Sequence, residues 1–158
     1  MVAGSRSVDY RETMESTRRE EWTLHCDGGA RGNPGPGAAA WVLNAPDGRE
    51  VEARAEYLGH VTNNVAEYRA LIGGLGAATR AGASALLIAM DSELVVRQMK
   101  GEYRVKHAGL KPLHAEARTA ASQIPKVRFE AVRRERNARA DQLVNETLDR
   151  ILGSESPR

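Results

Sequence analysis

From residue 22 onward the chain alternates apolar and polar positions, and the period of that alternation changes at a few sharp places. Trp22, Leu24 and Cys26 alternate with Thr23, His25 and Asp27, the two-residue period of a strand with one apolar face. The strand predicted from Trp22 to about Gly28 carries Asp27 at its end, on the face opposite the apolar one. A turn rich in Gly and Pro follows, and Gly37 to Asn44 reads as a second strand. Pro46-Asp47-Gly48 is a turn signal. Arg49 to Leu58 reads as a third strand, with Val51, Ala53 and Ala55 alternating with charged neighbours. Short turns between three such runs predict an antiparallel meander.

The period then lengthens. Val65, Tyr68, Leu71, Ile72 and Leu75 recur at helical spacing as far as Ala81. Gly73, Gly74 and Gly76 lie inside this helix, each at a cost of ~1 kcal/mol against Ala, which close packing on a sheet would offset. Ala85 to Met90 is a continuous apolar run, as expected of a strand buried on both faces. Asp91 and Ser92 open a helix carrying Leu94, Val95 and Met99. A basic link from Gly101 to Gly109 leads to an amphipathic helix from Leu110 to Ser122. Val127 to Val132 is a last strand, and Asn137 to Leu152 a last helix with Ala140, Val144, Leu148 and Ile151 on one face. Strand–helix–strand crossovers make the first, fourth and fifth strands parallel neighbours. The fold class is therefore α/β, a mixed five-stranded sheet with helices packed on its faces. Residues 1–21 have no apolar periodicity and read as a flexible tail with room for a short helix near Tyr10 to Arg19. Residues 22–152 form one domain, and 153–158 a second tail.

Composition narrows the class. Apolar residues at 41% and charged residues at 28% are ordinary for a soluble globular domain, and 158 residues suit a single core. With aromatic residues at 4%, the core must be mostly Ala, Val, Leu and Ile. No apolar run is long enough to span a bilayer, and the start has no apolar signal segment. The single cysteine, Cys26, lies in an apolar strand pattern. These features point to a cytoplasmic protein with no membrane partner. The net charge of +2 is unevenly placed: residues 97–139 carry twelve Lys and Arg against four Glu, whereas 40–95 carry four Arg against seven acids. A basic segment beside acidic positions suggests a polyanion partner and a bound cation.

Ligand sites in open α/β sheets gather at the carboxyl ends of parallel strands, and that rule selects acids. Asp27 ends the first strand and Asp91 follows the fourth. Glu67 falls in the first turn of the first helix, and Asp141 in the first turn of the last. Each has a structural alternative. Asp27-Gly28 is a turn pair, Asp91 a helix cap, Glu67 the partner of Asn64 in a capping box, and Asp141 an acid favoured by the helix dipole. Four carboxylates drawn together repel unless cations sit among them. Hard oxygen ligands without His or thiolate favour Mg²⁺ or Mn²⁺ over Zn²⁺. Two such ions roughly 3.5–4 Å apart hold a phosphodiester, one activating the attacking water and the other stabilising the leaving 3′ oxygen. With the basic segment nearby, phosphodiester hydrolysis is the leading reading.

Taken in order, the motifs DGGARGNPGPG (Asp27 to Gly37), TNNVAEYRAL (Thr62 to Leu71), Asp91-Ser92 after an apolar strand, and RERNARADQLVN (Arg134 to Asn145) resemble those of type 1 ribonuclease H. The resemblance covers roughly Trp22 to Leu152. It implies a sheet in the order 3-2-1-4-5 with strand 2 antiparallel, helices on both faces, and a monomeric enzyme. It also implies two-metal hydrolysis of the RNA strand of RNA–DNA hybrids, leaving 5′-phosphate and 3′-hydroxyl ends. Asp27, Glu67, Asp91 and Asp141 would bind Mg²⁺ or Mn²⁺. Asn33, Thr62, Asn63 and Asn64 resemble positions that touch the hybrid, and Gly28 and Gly29 would let backbone amides approach RNA. Two departures stand out. Many members place a His in a loop before the last carboxylate. Here Arg134 occupies that region; because Arg cannot act as a base at ordinary pH, it is expected to hold phosphate or aid product release. The basic protrusion of some relatives is also missing, and Gly101 to Lys111 leaves grip to Arg104, Lys106 and Lys111, with His107 and His114 as surface residues. An inactive hybrid-binding module, or another nuclease of the same fold, are the alternatives that a cleavage panel would separate.

Overall fold

The computed structural model describes residues 20–155. The tail expected at 1–21, with its short helix, lies outside the described residues as far as residue 19, and so do 156–158. Five strands, β1 (Glu21–Ala30), β2 (Gly35–Asn44), β3 (Glu50–Val61), β4 (Ala85–Met90) and β5 (Lys126–Ala131), form one sheet in the order β3-β2-β1-β4-β5. The β1–β2 and β2–β3 pairs are antiparallel, and β1–β4 and β4–β5 are parallel. Among the described residues, four helices complete the fold: α1 (Asn63–Arg80), α2 (Glu93–Met99), α3 (Lys111–Ser122) and α4 (Ala138–Glu155), the last preceded by a 3₁₀ turn, Arg134–Asn137. No described helix is long and apolar enough to cross a membrane.

The strands and helices expected within residues 20–155 are all present, with several boundaries shifted; β2, for one, begins at Gly35 rather than Gly37. β1 begins at Glu21 and runs two residues past Gly28, because pairing with β2 continues through Ala30↔Gly37. β3 likewise extends to Val61, which pairs with Gly35. α4 continues to Glu155, so residues 153–155 are helical rather than tail.

Alternation decides which face of the sheet each helix covers. Leu24 and Cys26 of β1, with Ala39, Trp41 and Leu43 of β2, turn one way and are buried with Leu71 and Leu75 of α1. Ala38 and Ala40 of β2 turn the other way and meet Val144 and Leu148 of α4. Burying each of these large aliphatic side chains contributes about 1.5–3 kcal/mol. Two of the three helical glycines are explained by this packing. A Cβ on Gly73 would strike the Trp41 ring, and one on Gly74 would lie 2.8 Å from the Leu24 methyls. Gly76 does not touch the sheet; its nearest neighbour there is the Arg80 guanidinium at 3.2 Å.

Candidate active site

β1 and β4 run parallel and end side by side, Cys26 opposite Met90. The next residue in each chain is therefore an aspartate at the same sheet edge, Asp27 and Asp91. α4 crosses the face toward which Asp27 points and brings Asp141 in its first turn. α1 covers the opposite face and brings Glu67. Together with Arg134, Asn63 and Arg31, these four acids line one open cavity of about 400 Å³. A slightly larger cavity of about 470 Å³ lies between Gln98, Tyr103, Arg104, Lys111 and Arg118 and shares no residue with it. The smaller one is the candidate site because it collects the carboxylates.

Asp27 is almost fully buried. Burial first, then repulsion from Asp91 and Asp141, pushes its carboxyl up to about 8. Burial likewise lifts Glu67 to about 7; a hydrogen bond with Ser92 pulls the other way, and Asp91 adds a smaller upward push. Asp27 therefore sits close enough to Asp91 and Asp141 for their charges to oppose its ionisation. Among the described residues, no three His, Cys, Asp or Glu side chains already enclose a metal position. The site is an open face of hard oxygens, a donor set that fits Mg²⁺ or Mn²⁺ with part of the coordination left to water or a phosphate.

Three of the structural alternatives for the acids are overturned. The cap of α1 is Thr62, whose Oγ1 accepts from Val65 N, and Glu67 lies beyond the first turn, so no capping box with Asn64 forms. The cap of α2 is Ser92, whose Oγ accepts from Val95 N, leaving the Asp91 carboxylate uncommitted to the helix. Asp27 is not a hairpin turn residue either, since β1 continues to Ala30.

The remaining sequence-selected residues fall into two groups. Asn63 Oδ1 accepts from Ala30 N at 2.8 Å, and Asn33 Oδ1 accepts from Asn63 N at 3.1 Å, tying the β1–β2 turn to the start of α1. Thr62 is committed to capping, and Asn64 is half-buried beside them. Gly28 is explained by packing: a Cβ there would overlap the backbone of Ala66 and Glu67. Gly29 has room, its added Cβ meeting only Val144 at 3.9 Å. Arg134 is highly exposed, with Nε 3.8 Å from Asp91 Oδ2. In the basic link, His107 is exposed, but His114 is not a free surface residue. It packs edge-on against Tyr68 with ring centroids 6.3 Å apart, and its Nε2 lies 3.2 Å from the Gln98 carbonyl.

Two residues lining the site, and one behind it, were not singled out from the sequence. Asn145 donates to Asp141 Oδ2 at 3.3 Å, a partner legible in its spacing of one helical turn. Arg31 lines the cavity and donates to Asp149 Oδ1 at 2.6 Å. Asn137 is buried against β1 and has no local signal.

A family model described as reverse transcriptase-like matches residues 25–147. The Ribonuclease HI of Halobacterium salinarum is 36% identical over 149 residues, covering 94% of this chain and 75% of that protein. The bifunctional protein Rv2228c of Mycobacterium tuberculosis is 45% identical over 127 residues, covering 80% of this chain. The chain spans 35% of the length of the mycobacterial proteins it matches. The solved N-terminal RNase H domain of Rv2228c superposes with a TM-score of 0.78 at 42% identity, over 80% of this chain and 97% of that one. LC11-RNase H1, solved in complex with RNA/DNA hybrid, gives a TM-score of 0.78 at 41% identity, over 83% of this chain and 99% of that one.

Proposed function

The chain belongs to the type 1 ribonuclease H family, and on that premise we propose that it is a divalent-metal-dependent endonuclease that hydrolyses the RNA strand of RNA–DNA hybrids. The observation that carries this reading is the gathering of Asp27, Glu67, Asp91 and Asp141 from four separate elements into one cavity, with Asp27 and Glu67 held protonated above their ordinary range. A module that only bound nucleic acid would gain nothing from that repulsion.

Asp27, Asp91 and Asp141 would hold Mg²⁺ or Mn²⁺ jointly, with Glu67 completing the set beside Asp91. Bound there, two ions supply Lewis-acid stabilisation of charge on the phosphate and make water acidic enough to attack at neutral pH, which gives 5′-phosphate and 3′-hydroxyl ends. The protein's own part is placement. Asn33 and Asn63 brace the β1–β2 turn against α1, and Asn64 stands beside them with a donor and an acceptor suited to a 2′-OH in a wide, shallow minor groove. Gly29 leaves its backbone amide open to a close approach. Arg134, permanently charged, reaches the phosphate side of the cavity and eases departure of the cleaved strand. The basic residues Arg104 and Lys111, around the neighbouring cavity, together with Lys106, supply electrostatic grip on the hybrid. The chain acts as a monomer, since one copy carries all four acids.

The deciding experiment is a cleavage panel of hybrid, double-stranded RNA and double-stranded DNA, with Mg²⁺, with Mn²⁺ and in excess chelator. The reading expects hybrid cleavage only with metal. Activity that survives the chelator, or binding without cleavage in either metal, overturns it.

A further inference from the structure

The segment between β5 and α4 ties together the two strand ends that carry aspartates. Val132 N donates to the Met90 carbonyl at 2.8 Å, and Met90 directly precedes Asp91. Five residues later, Asn137 Nδ2 donates to the Cys26 carbonyl at 2.8 Å, across 111 residues of sequence, and Cys26 directly precedes Asp27. Cys26↔Met90 is the last rung between β1 and β4, so the Asn137 amide engages β1 at the point where its parallel neighbour ends. Asn137 is itself followed, one helical turn later, by Asp141.

The first of these tethers is main chain and independent of residue type; the second requires a side-chain donor of the right length. Asn137 is only 1% exposed, and its Oδ1 has no hydrogen-bond partner among the described residues. A buried acceptor left unpaired costs stability, and an apolar side chain of similar size would avoid that cost. The amide is therefore not explained by stability alone. What it does supply is the bond to Cys26.

We propose that Asn137 is a positioning residue: its carboxamide fixes the end of β1 to the start of α4 and so sets the spacing between Asp27 and Asp141. This rests on the carboxylate-cluster reading of the site. Without the tether, the Val132–Met90 bond and the apolar packing of Val144 and Leu148 on the sheet still hold the fold, and the two acids can drift apart without its being lost.

The test compares the full wild-type chain with Asn137→Ala and Asn137→Leu, the latter filling the same volume without the donor or the unpaired oxygen. Each is assayed well below its own melting temperature for kcat and KM on RNA–DNA hybrid. Each is also titrated with Mn²⁺ by calorimetry in the absence of nucleic acid. The expected result is a fall in kcat of tenfold or more, KM within twofold, and Mn²⁺ affinity weakened several-fold, with Asn137→Leu at least as stable as Asn137→Ala. A variant that melts lower but keeps both kcat and Mn²⁺ affinity overturns the proposal. Failure of both variants to fold also overturns it, because Asn137 would then serve the fold itself. Wild-type activity on the hybrid separates the two levels: if it is missing, the proposed function fails, while the Mn²⁺ titration still tests the spacing.

Discussion

Gly28 lies directly against the peptide joining Ala66 to Glu67, so closely that a single added carbon on Gly28 would overlap main-chain atoms of both. This contact sets the distance between the central strand and α1, and with it the distance from Glu67 to Asp27 and Asp91. The neighbours are backbone, so nothing flexible can move aside. Gly28→Ala must push the helix off the strand, at a cost of about 1–3 kcal/mol or more, and carries Glu67 away from the other acids. Gly29→Ala, where the new carbon finds ordinary contact, is the control. Urea denaturation should show loss of stability for Gly28→Ala and near wild-type stability for Gly29→Ala, and hybrid cleavage by Gly28→Ala should fall at least a hundredfold.

Much of this arrangement is legible in the sequence because it is local. Alternation at Trp22, Leu24 and Cys26 places Asp27 on the face that α4 covers, and the run Ala85 to Met90 marks the buried strand that ends at Asp91. What joins those ends is not local. The bond from Asn137 to Cys26 spans most of the chain, and neither residue's neighbours hint at it. The start of α1 is ambiguous in the sequence for a related reason: a cap at Asn64, with Glu67 as its capping-box partner, and a cap at Thr62 both fit the string TNNVAE, and the contacts of Asn63 with Ala30 and Asn33 accompany the second. His114 has the polarity of a surface residue, and only the approach of Tyr68 from α1 makes it part of the core's edge.

Burial of the acids, with repulsion among them, gives the metal-free chain a distinctive pH dependence. Folded, Asp27 keeps its proton up to about 8 and Glu67 up to about 7, whereas their ordinary values are 3.8 and 4.5. Between those limits the folded chain binds more protons than the unfolded one, so stability falls as pH rises from about 4 to about 8. Asp27→Asn removes the largest contribution. In chelator, thermal melts should show the variant more stable than wild type at pH 8–9 by on the order of 1 kcal/mol or more, the gap closing toward pH 4. Adding Mg²⁺ at pH 8 should raise the wild-type melting temperature and leave the variant's nearly unchanged. Hybrid cleavage by the variant should be lost throughout.

A second buried polar contact should affect stability without touching the chemistry. The Tyr68 hydroxyl donates to Gln98 Oε1 at 2.6 Å, joining α1 to α2 inside the core. Tyr68→Phe leaves that oxygen buried and unpaired, a loss of about 1–3 kcal/mol. Denaturant midpoints should fall accordingly, with kcat on hybrid unchanged within twofold at a temperature where both forms are folded. A comparable fall in kcat would mean that the α1–α2 contact also holds Glu67 or Asp91 in place.

Arg134 separates binding from turnover. Its side chain is 81% exposed, and the 3.8 Å approach of Nε to Asp91 Oδ2 is an ion pair of the kind that contributes little to stability. Arg134→Ala should therefore melt within a few degrees of wild type. Since the guanidinium cannot take up a proton from water, its service to the reaction is charge held next to the phosphate and the departing strand. Removing it should lower kcat by tenfold or more while the Kd for hybrid in Ca²⁺ stays within about threefold; kcat/KM falls in step if the charge serves cleavage and holds if it serves product departure. The dependence of log Kd on log salt concentration should change by no more than about one phosphate contact. Arg134→Lys, which keeps a point charge but loses the planar fork, should recover part of the rate. Single-turnover and steady-state rates measured side by side locate the effect: a defect confined to the steady state assigns Arg134 to product departure, and one present in the single turnover assigns it to the cleavage step. A variant that binds hybrid weakly but turns over normally at saturation would remove Arg134 from the reaction and leave it as one more basic residue on the binding face.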